Sequence, residues 1–268
     1  MPRPRSVVNH RIDTRLLWCI LDWMGIGFTL TPKWRIGLDG LSECRRSVIQ
    51  TCMKTIELPR GSSLFAQGEP SSQLFVVERG RIKISQTSEY GDEFILGICS
   101  GGSTVGLSTV ILDLPHNVSA TTVDKARVSA ISRTTLVELM QMLPPFGLNL
   151  ARLLATIVVE SFGQRADMAR SPAQIRLSTT IMSLAQQRSS VENPRRAELA
   201  GITHEDLAKL VGVGRPWISM NLSFLEERGL ISKQRRRIVI NDVEQFSSFI
   251  SAGKGASDLL VGRRPPNN

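Results

Sequence analysis

Residues 202–240 read ITHEDLAKLVGVGRPWISMNLSFLEERGLISKQRRRIVI, and the punctuation of this stretch decides the C-terminal half of the fold. Thr203 is a good N-cap, and Asp206, three residues on, brings a carboxylate to the free amides of the first helical turn. Leu207, Ala208, Leu210 and Val211 give a short helix one apolar face. Gly212 stops it, because glycine takes the positive φ that a helix end often requires. Pro216 fits the first turn of a second helix, where a missing N–H costs little. Ile218, Leu222 and Leu225 supply that helix's buried stripe, and Gly229 ends it. Two short helices joined by a tight glycine turn describe a helix-turn-helix. Residues 231–234 and 237–240 then read as two short strands, with Arg235, Arg236 and Arg237 at or beside their turn. The pattern predicts a winged helix-turn-helix whose second helix suits the DNA major groove. A helical hairpin packed in some other core would fit the two helices alone; the basic hairpin and the upstream domain favour DNA.

The 268 residues suffice for two modest domains, and 41% hydrophobic with 21% charged residues is ordinary for a globular chain. A net charge of +9 and a pI near 10.0 favour an anionic partner. The charge is spread: residues 1–40 carry six Lys/Arg against three Asp/Glu, and residues 172–250 eleven against eight. Cys19, Cys44, Cys52 and Cys99 show no Cys-x-x-Cys spacing, so a reducing cytoplasm and buried, inert thiols are expected, with no metal site. Residues 16–30 (LLWCILDWMGIGFTL) follow a basic start as a signal peptide would, but Asp22 interrupts the run and no small-x-small cleavage site follows. The run is also shorter than the ~20 apolar residues a bilayer span needs, so no membrane role is expected. Residues 1–40 are read as an extension, either a short amphipathic helix or a poorly ordered segment.

From Thr55 the chain turns into short segments separated by glycine. Residues 55–58, 63–66, 74–78, 81–86, 94–98, 118–122 and 126–131 read as strands, with turns at Gly61, Gly68, Gly80 and Gly91. Such spacing predicts a sandwich or barrel. Within it, Gly101–Leu112 (GGSTVGLSTVIL) could open a short helix and present backbone amides to an anion.

The string LPRGSSLFAQGEPSSQLFVVERGRIKIS (residues 58–85), the later Gly91 and Gly106-Leu107, and the whole helix-turn-helix resemble the CRP/FNR superfamily of bacterial transcription regulators. The resemblance covers roughly residues 41–250. It implies an α+β chain: an N-terminal cyclic-nucleotide-binding-like β-roll (jelly roll), a long dimerisation helix and a C-terminal winged helix-turn-helix. The domains are then 1–40 as extension, 41–143 as effector domain, 144–170 as dimerisation helix, 171–250 as DNA-binding domain and 251–268 as flexible tail. It further implies a cytoplasmic, non-enzymatic homodimer on double-stranded DNA, working with RNA polymerase. No paired carboxylates, Ser-His-Asp set or phosphate loop with its lysine suggest catalysis.

The sequence departs from the resembled pattern at the effector pocket. Cyclic-AMP-binding members use Gly-Glu-x-Gly-Leu to hold the ribose and a later Arg-Ser pair to neutralise the phosphate. Here Thr104 stands at the glutamate position, before Gly106 and Leu107, and Leu114 and Pro115 stand at the Arg-Ser position. Burying a phosphate charge without such donors is costly, so the usual cyclic AMP contacts are not expected. A Thr-Ser pair on the dimer helix is half kept, as Ser161 followed by Phe162. The cysteine spacing does not match an iron–sulfur cluster, no haem ligand stands out, and the effector is left open.

Along residues 146–168, Leu150, Leu154, Ile157, Ser161, Gln164 and Met168 recur at steps of mostly four and three, the spacing of a two-stranded coiled coil. Among DNA contacts, the resemblance carries a base-reading arginine onto Arg215, while a glutamate and a later arginine have become Pro216 and Met220. Ser219 and Asn221 are further base-reading candidates. Arg235, Arg236 and Arg237, together with Thr203 and His204 at a helix amino end, are expected on phosphates, with Trp217 stacked on sugar beside them. The alternative is a ligand- or redox-sensing β-roll protein whose helix-turn-helix serves protein contacts.

Overall fold

The computed structural model describes residue 38 and residues 41–186, 195–235 and 237–261, so the extension at 1–40 lies outside the described residues except at Leu38. The glycine-punctuated segments form β1 (Lys54–Leu58), β2 (Ser63–Phe65), β3 (Gln73–Arg79), β4 (Ile82–Thr87), β5 (Glu93–Cys99), β6 (Thr104–Val105), β7 (Ser119–Thr122) and β8 (Ala126–Ser132). Each expected strand lies within a residue of its observed ends; β6 was not expected. The turn before β4 requires glycine. Gly80 has φ +84°, and a Cβ there would lie 2.6 Å from the Lys125 carbonyl oxygen.

Two four-stranded sheets, ordered β1-β8-β3-β6 and β2-β7-β4-β5, face each other, and the pairings are antiparallel. Alternation along β3 sends Phe75 and Val77 between the sheets, where they meet Phe65, Ile82, Ala120 and Val128. The same alternation sends Leu74 outward with Ile131 of β8, onto a layer of helices. These are α1 (Glu43–Thr51), α2 (Leu107–Leu112), α3 (Arg133–Met142) and α4 (Pro144–Arg170). Pro144 and Pro145 occupy the first turn of α4 rather than standing before it, since a first-turn proline forfeits no helical hydrogen bond.

The apolar seam assigned to this helix is corrected. Leu150 is buried, and Leu153, Leu154 and Ile157 pack with it on the chain's own roll and α3. The opposite face carries Leu148, Val159 and Phe162, which are 53%, 60% and 65% exposed. Spacings of 11 and 3 residues put these three on one stripe of a 3.6-residue helix. Both faces are apolar, and periodicity alone selected the one that the domain itself consumes. Ser161 is exposed and donates to the Ile157 carbonyl; the side chains of Gln164 and Met168 lie outside the described residues.

The C-terminal half comprises α5 (Ala173–Gln186), β9 (Ala197–Ala200), α6 (His204–Val211), α7 (Arg215–Glu227), β10 (Ile231–Gln234), β11 (Arg237–Ile240) and α8 (Val243–Val261). The sheet order is β10-β11-β9, so the wing gains a third strand from before the helix-turn-helix. The flexible tail expected from residue 251 is corrected as far as Val261. Helix α8 continues to that point, anchored at its start by buried Phe246 and Ile250.

The two halves dock through β5. A bulge opposite Ile84 and Ser85 shifts the alternation of β5, which brings Ile95 and Ile98 onto one face despite their odd separation. Both join the core of the C-terminal half with Leu207, Leu210 and Val211. Glu93 flanks them, accepting from Lys209 of α6 at 2.8 Å and from Lys83 at 2.8 Å. The two lysines hold its carboxyl down at about 2, Lys209 having the larger effect. Nearby, buried Arg81 pairs with Asp124 at 2.8 Å and donates from Nη2 to the Ala200 carbonyl at 2.7 Å.

Candidate nucleic-acid interface

Helix α6 starts as its sequence requires. The Thr203 hydroxyl accepts from the Asp206 amide at 3.0 Å while the Asp206 carboxylate accepts from the Thr203 amide at 2.9 Å, a reciprocal capping box. The same carboxylate accepts the Thr203 hydroxyl proton at 2.7 Å. The cap engages both the hydroxyl and the amide of Thr203, the groups the expected phosphate contact would use. His204 is engaged within the domain. Its Nδ1 lies 3.0 Å from the Ser219 hydroxyl, bridging α6 to α7. Desolvation, then the charges of Arg215 and Lys233, lower its pKa below the usual histidine value.

Gly212, with φ +73°, makes the turn, and α7 begins at Arg215 with Pro216 in its first turn. Ile218, Leu222 and Leu225 are fully buried on its inner face. Arg215 is exposed and has no ion-pair partner among the described residues. Asn221 does not stand beside it. It is 8% exposed, shares the buried face, and donates to the Trp217 carbonyl at 3.0 Å. A residue four after Trp217 and three after Ile218 returns to the inner face, so Asn221 as a base reader is a correction. Trp217 is half-buried and packs against the domain core. Ser219 is half-buried, with its hydroxyl engaged by His204. Met220 projects from the helix, 63% exposed.

On the wing, Arg235 is exposed at the turn between β10 and β11. Arg237 is exposed and reaches Glu198 of β9 at 3.3 Å; Arg236 lies outside the described residues. Lys233 of β10 was missed by the sequence reading. It pairs with Glu226 at 2.9 Å and ties the wing to α7. The arrangement offers an exposed guanidinium at the start of a helix, flanked by a basic hairpin, which suits a base edge between two phosphates.

The second site expected from sequence lies where β6 meets α2. Thr104 and Leu107 are buried there, and Gly106 has φ +88°. Aromatic rings pack against them. The His116 ring stacks on Phe65 at 3.6 Å and 10°, and a Cβ on Gly106 would lie 3.4 Å from His116 Cε1. His116 is buried, its Nδ1 lies 3.0 Å from the Thr109 hydroxyl, and desolvation lowers its pKa. Leu114 and Pro115 supply no cation, and Thr104 supplies a hydroxyl without a hydrogen-bond partner in place of a carboxylate. These residues do not fit a cyclic phosphate. Of the cysteines, Cys99 is buried and its thiol pushed up to about 12, whereas Cys44 and Cys52 are exposed, against the expectation of burial. Cys19 lies outside the described residues.

Residues 55–142 match the family model of the cyclic nucleotide-binding domain, and residues 175–249 that of the Crp-like helix-turn-helix domain. A CRP-like cAMP-activated global transcriptional regulator of Mycobacterium tuberculosis is 26% identical over 195 residues, 73% of this chain and 87% of that one. An anaerobic regulatory protein of Pasteurella multocida is 26% identical over 225 residues, 84% of this chain and 78% of that one. Among solved structures, the c-di-GMP responsive global regulator CLP of Xanthomonas campestris superposes with a TM-score of 0.64 at 20% identity, covering 74% of this chain and 99% of that one.

Proposed function

Because the chain belongs to the CRP/FNR superfamily of transcription regulators, we propose that it acts as a homodimer that reads a palindromic operator through Arg215. The DNA-binding domain is the winged helix-turn-helix and the sensor is the β-roll. The observation that carries the reading is the exposed Arg215 at the start of α7, without an ion-pair partner among the described residues, beside the exposed wing arginines Arg235 and Arg237. A guanidinium in that position forks onto guanine O6 and N7, while the wing holds the backbone.

The exposed stripe of Leu148, Val159 and Phe162 on α4 supports the dimer. Three large apolar side chains in one line along a long helix are what a parallel partner helix covers. A dimer on a palindromic operator needs its recognition helices ~34 Å apart, one turn of DNA. The loss of the glutamate and the second arginine, to Pro216 and exposed Met220, gives an operator different from that of the cyclic-AMP-activated branch. The mismatched β-roll pocket supports DNA binding without cyclic AMP. RNA polymerase as partner, a cytoplasmic location and the absence of catalysis belong to the same reading, as does the division of the chain at residues 143 and 170.

Selection of bound duplexes from random DNA with purified, ligand-free protein tests it. A palindrome with half-sites one helical turn apart is expected. Enrichment of a single, non-repeated half-site would reject the dimer, and enrichment of nothing would favour a helix-turn-helix used for protein contacts.

A further inference from the structure

A cleft of about 650 Å³ lies between the sensor and the winged domain. That is within the ~300–1,000 Å³ of small-molecule sites. The winged domain contributes Arg215, Lys233, Arg237 and the Gly201–Glu205 segment that leads into α6, and the sensor contributes Arg60. Lys233 is engaged by Glu226 and Arg237 by Glu198. Arg60 and Arg215 have no ion-pair partner among the described residues, and Glu205 is the one carboxylate in the lining. Two uncommitted guanidinium groups therefore share one recess.

Both walls are held. Arg60 sits on the turn between β1 and β2, and buried Thr122 clamps that turn from both sides. Its hydroxyl donates to the Pro59 carbonyl at 2.7 Å and accepts from the Ser62 amide at 2.8 Å, while the Gly61 amide donates to the Thr122 carbonyl at 2.9 Å. On the other wall, Arg81 grips the Ala200 carbonyl just before Gly201, and its Nη1 is buried without a hydrogen-bond partner. Its charge is balanced by Asp124 at 2.8 Å, so its part here is to hold the Ala200–Gly201 backbone in place. A site whose backbone is fixed before binding loses less entropy when an anion arrives.

We propose that this cleft binds a small phosphorylated anion between Arg60 and Arg215, and that its occupancy withdraws Arg215 from DNA. Guanidinium forks match phosphate oxygens bidentately, and two of them neutralise a phosphate dianion. The site is separate from the β-roll pocket, so the anion signal enters at the domain interface. The competition with DNA, though not the anion site itself, rests on the reading of Arg215 given above.

The test uses full-length protein and inorganic pyrophosphate, at ionic strength held constant with chloride. Calorimetry should show one site per chain, weakened about tenfold or more in Arg60→Gln. DNA affinity of Arg60→Gln, measured on the selected duplex without pyrophosphate, should equal that of the wild type. Pyrophosphate should weaken DNA binding of the wild type more than that of the variant. Absence of pyrophosphate binding, or equal binding by both proteins, overturns the proposal. So does a loss of DNA affinity in Arg60→Gln with a shallower salt dependence, which would make Arg60 a contact to the DNA backbone. Pyrophosphate binding that depends on Arg60 in a protein that binds no DNA would support the site and reject the DNA reading instead.

Discussion

Glu93→Gln should loosen the docking of the winged domain on the sensor, and the effect should fade in acid. Glu93 holds Lys209 across the domain boundary and Lys83 within its own sheet, each at 2.8 Å. A carboxyl lowered from 4.5 to about 2 corresponds to a ceiling of roughly 3 kcal/mol, at ~1.4 kcal/mol for each tenfold change in proton affinity. The side chains of all three residues are 23–30% exposed, so solvent screening brings the measurable loss nearer about 1–2 kcal/mol. Because the folded value lies below the unfolded one, this stabilisation is complete above pH 4.5 and is lost as pH falls towards 2. The gap between wild type and Glu93→Gln at neutral pH should therefore shrink to less than half by about pH 3. Denaturant titrations at both pH values measure the gap, and hydrogen exchange at α6 and β5 localises it. Lys209→Ala should open those amides, while Lys83→Ala should leave the α6 amides protected. A gap that does not change with pH, or an unaltered interface in Lys209→Ala, would refute the reasoning.

Arg215→Ala should cost about 1–3 kcal/mol in operator binding and relax preference at one base pair, as read by competition with single-substituted duplexes. Arg235→Ala should weaken all sequences alike and lower the salt slope by about 1 in a binding isotherm series. Gly80→Ala should destabilise the chain by more than Gly61→Ala in thermal melts. Both force an L-residue to positive φ, at about 1–2 kcal/mol, but only at position 80 would the Cβ also strike backbone, the Lys125 carbonyl at 2.6 Å. Cyclic AMP should give no micromolar binding isotherm by calorimetry; one would contradict the reading that Thr104, Leu114 and Pro115 lack the donors a cyclic phosphate needs.

Base reading by Asn221 follows from residue type, and burial overrules it; at the amino end of α6 the cap already engages Thr203. Asp206 serves the cap from inside the same turn, which the sequence contains, but its consequence for an incoming anion follows only from the completed hydrogen bonds. Asn221 is polar in a helix whose inner face closes over it, and its amide is satisfied by its own backbone neighbour four residues earlier. Lys233 and Arg60 carried no signal of their own, because each acquires its role from residues supplied by another element or another domain.

What the amino-acid order determined alone is local. The helix-turn-helix, the wing and the strands of the roll follow from capping residues, from glycines that tolerate positive φ, and from periods of 3.6 and 2, all of which act within a few residues. What only the tertiary structure decided is the choice between surfaces that are locally equivalent. Helix α4 is apolar on both sides, and contact with α3 and the roll consumed Leu150, Leu153 and Ile157 while leaving Leu148, Val159 and Phe162 outside. The bulge in β5 turned Ile98 to the same side as Ile95, and with Glu93 it made a docking face for a domain more than a hundred residues further along the chain. Burial and long-range charge pairing depend on which elements arrive, and no short window of sequence carries that information.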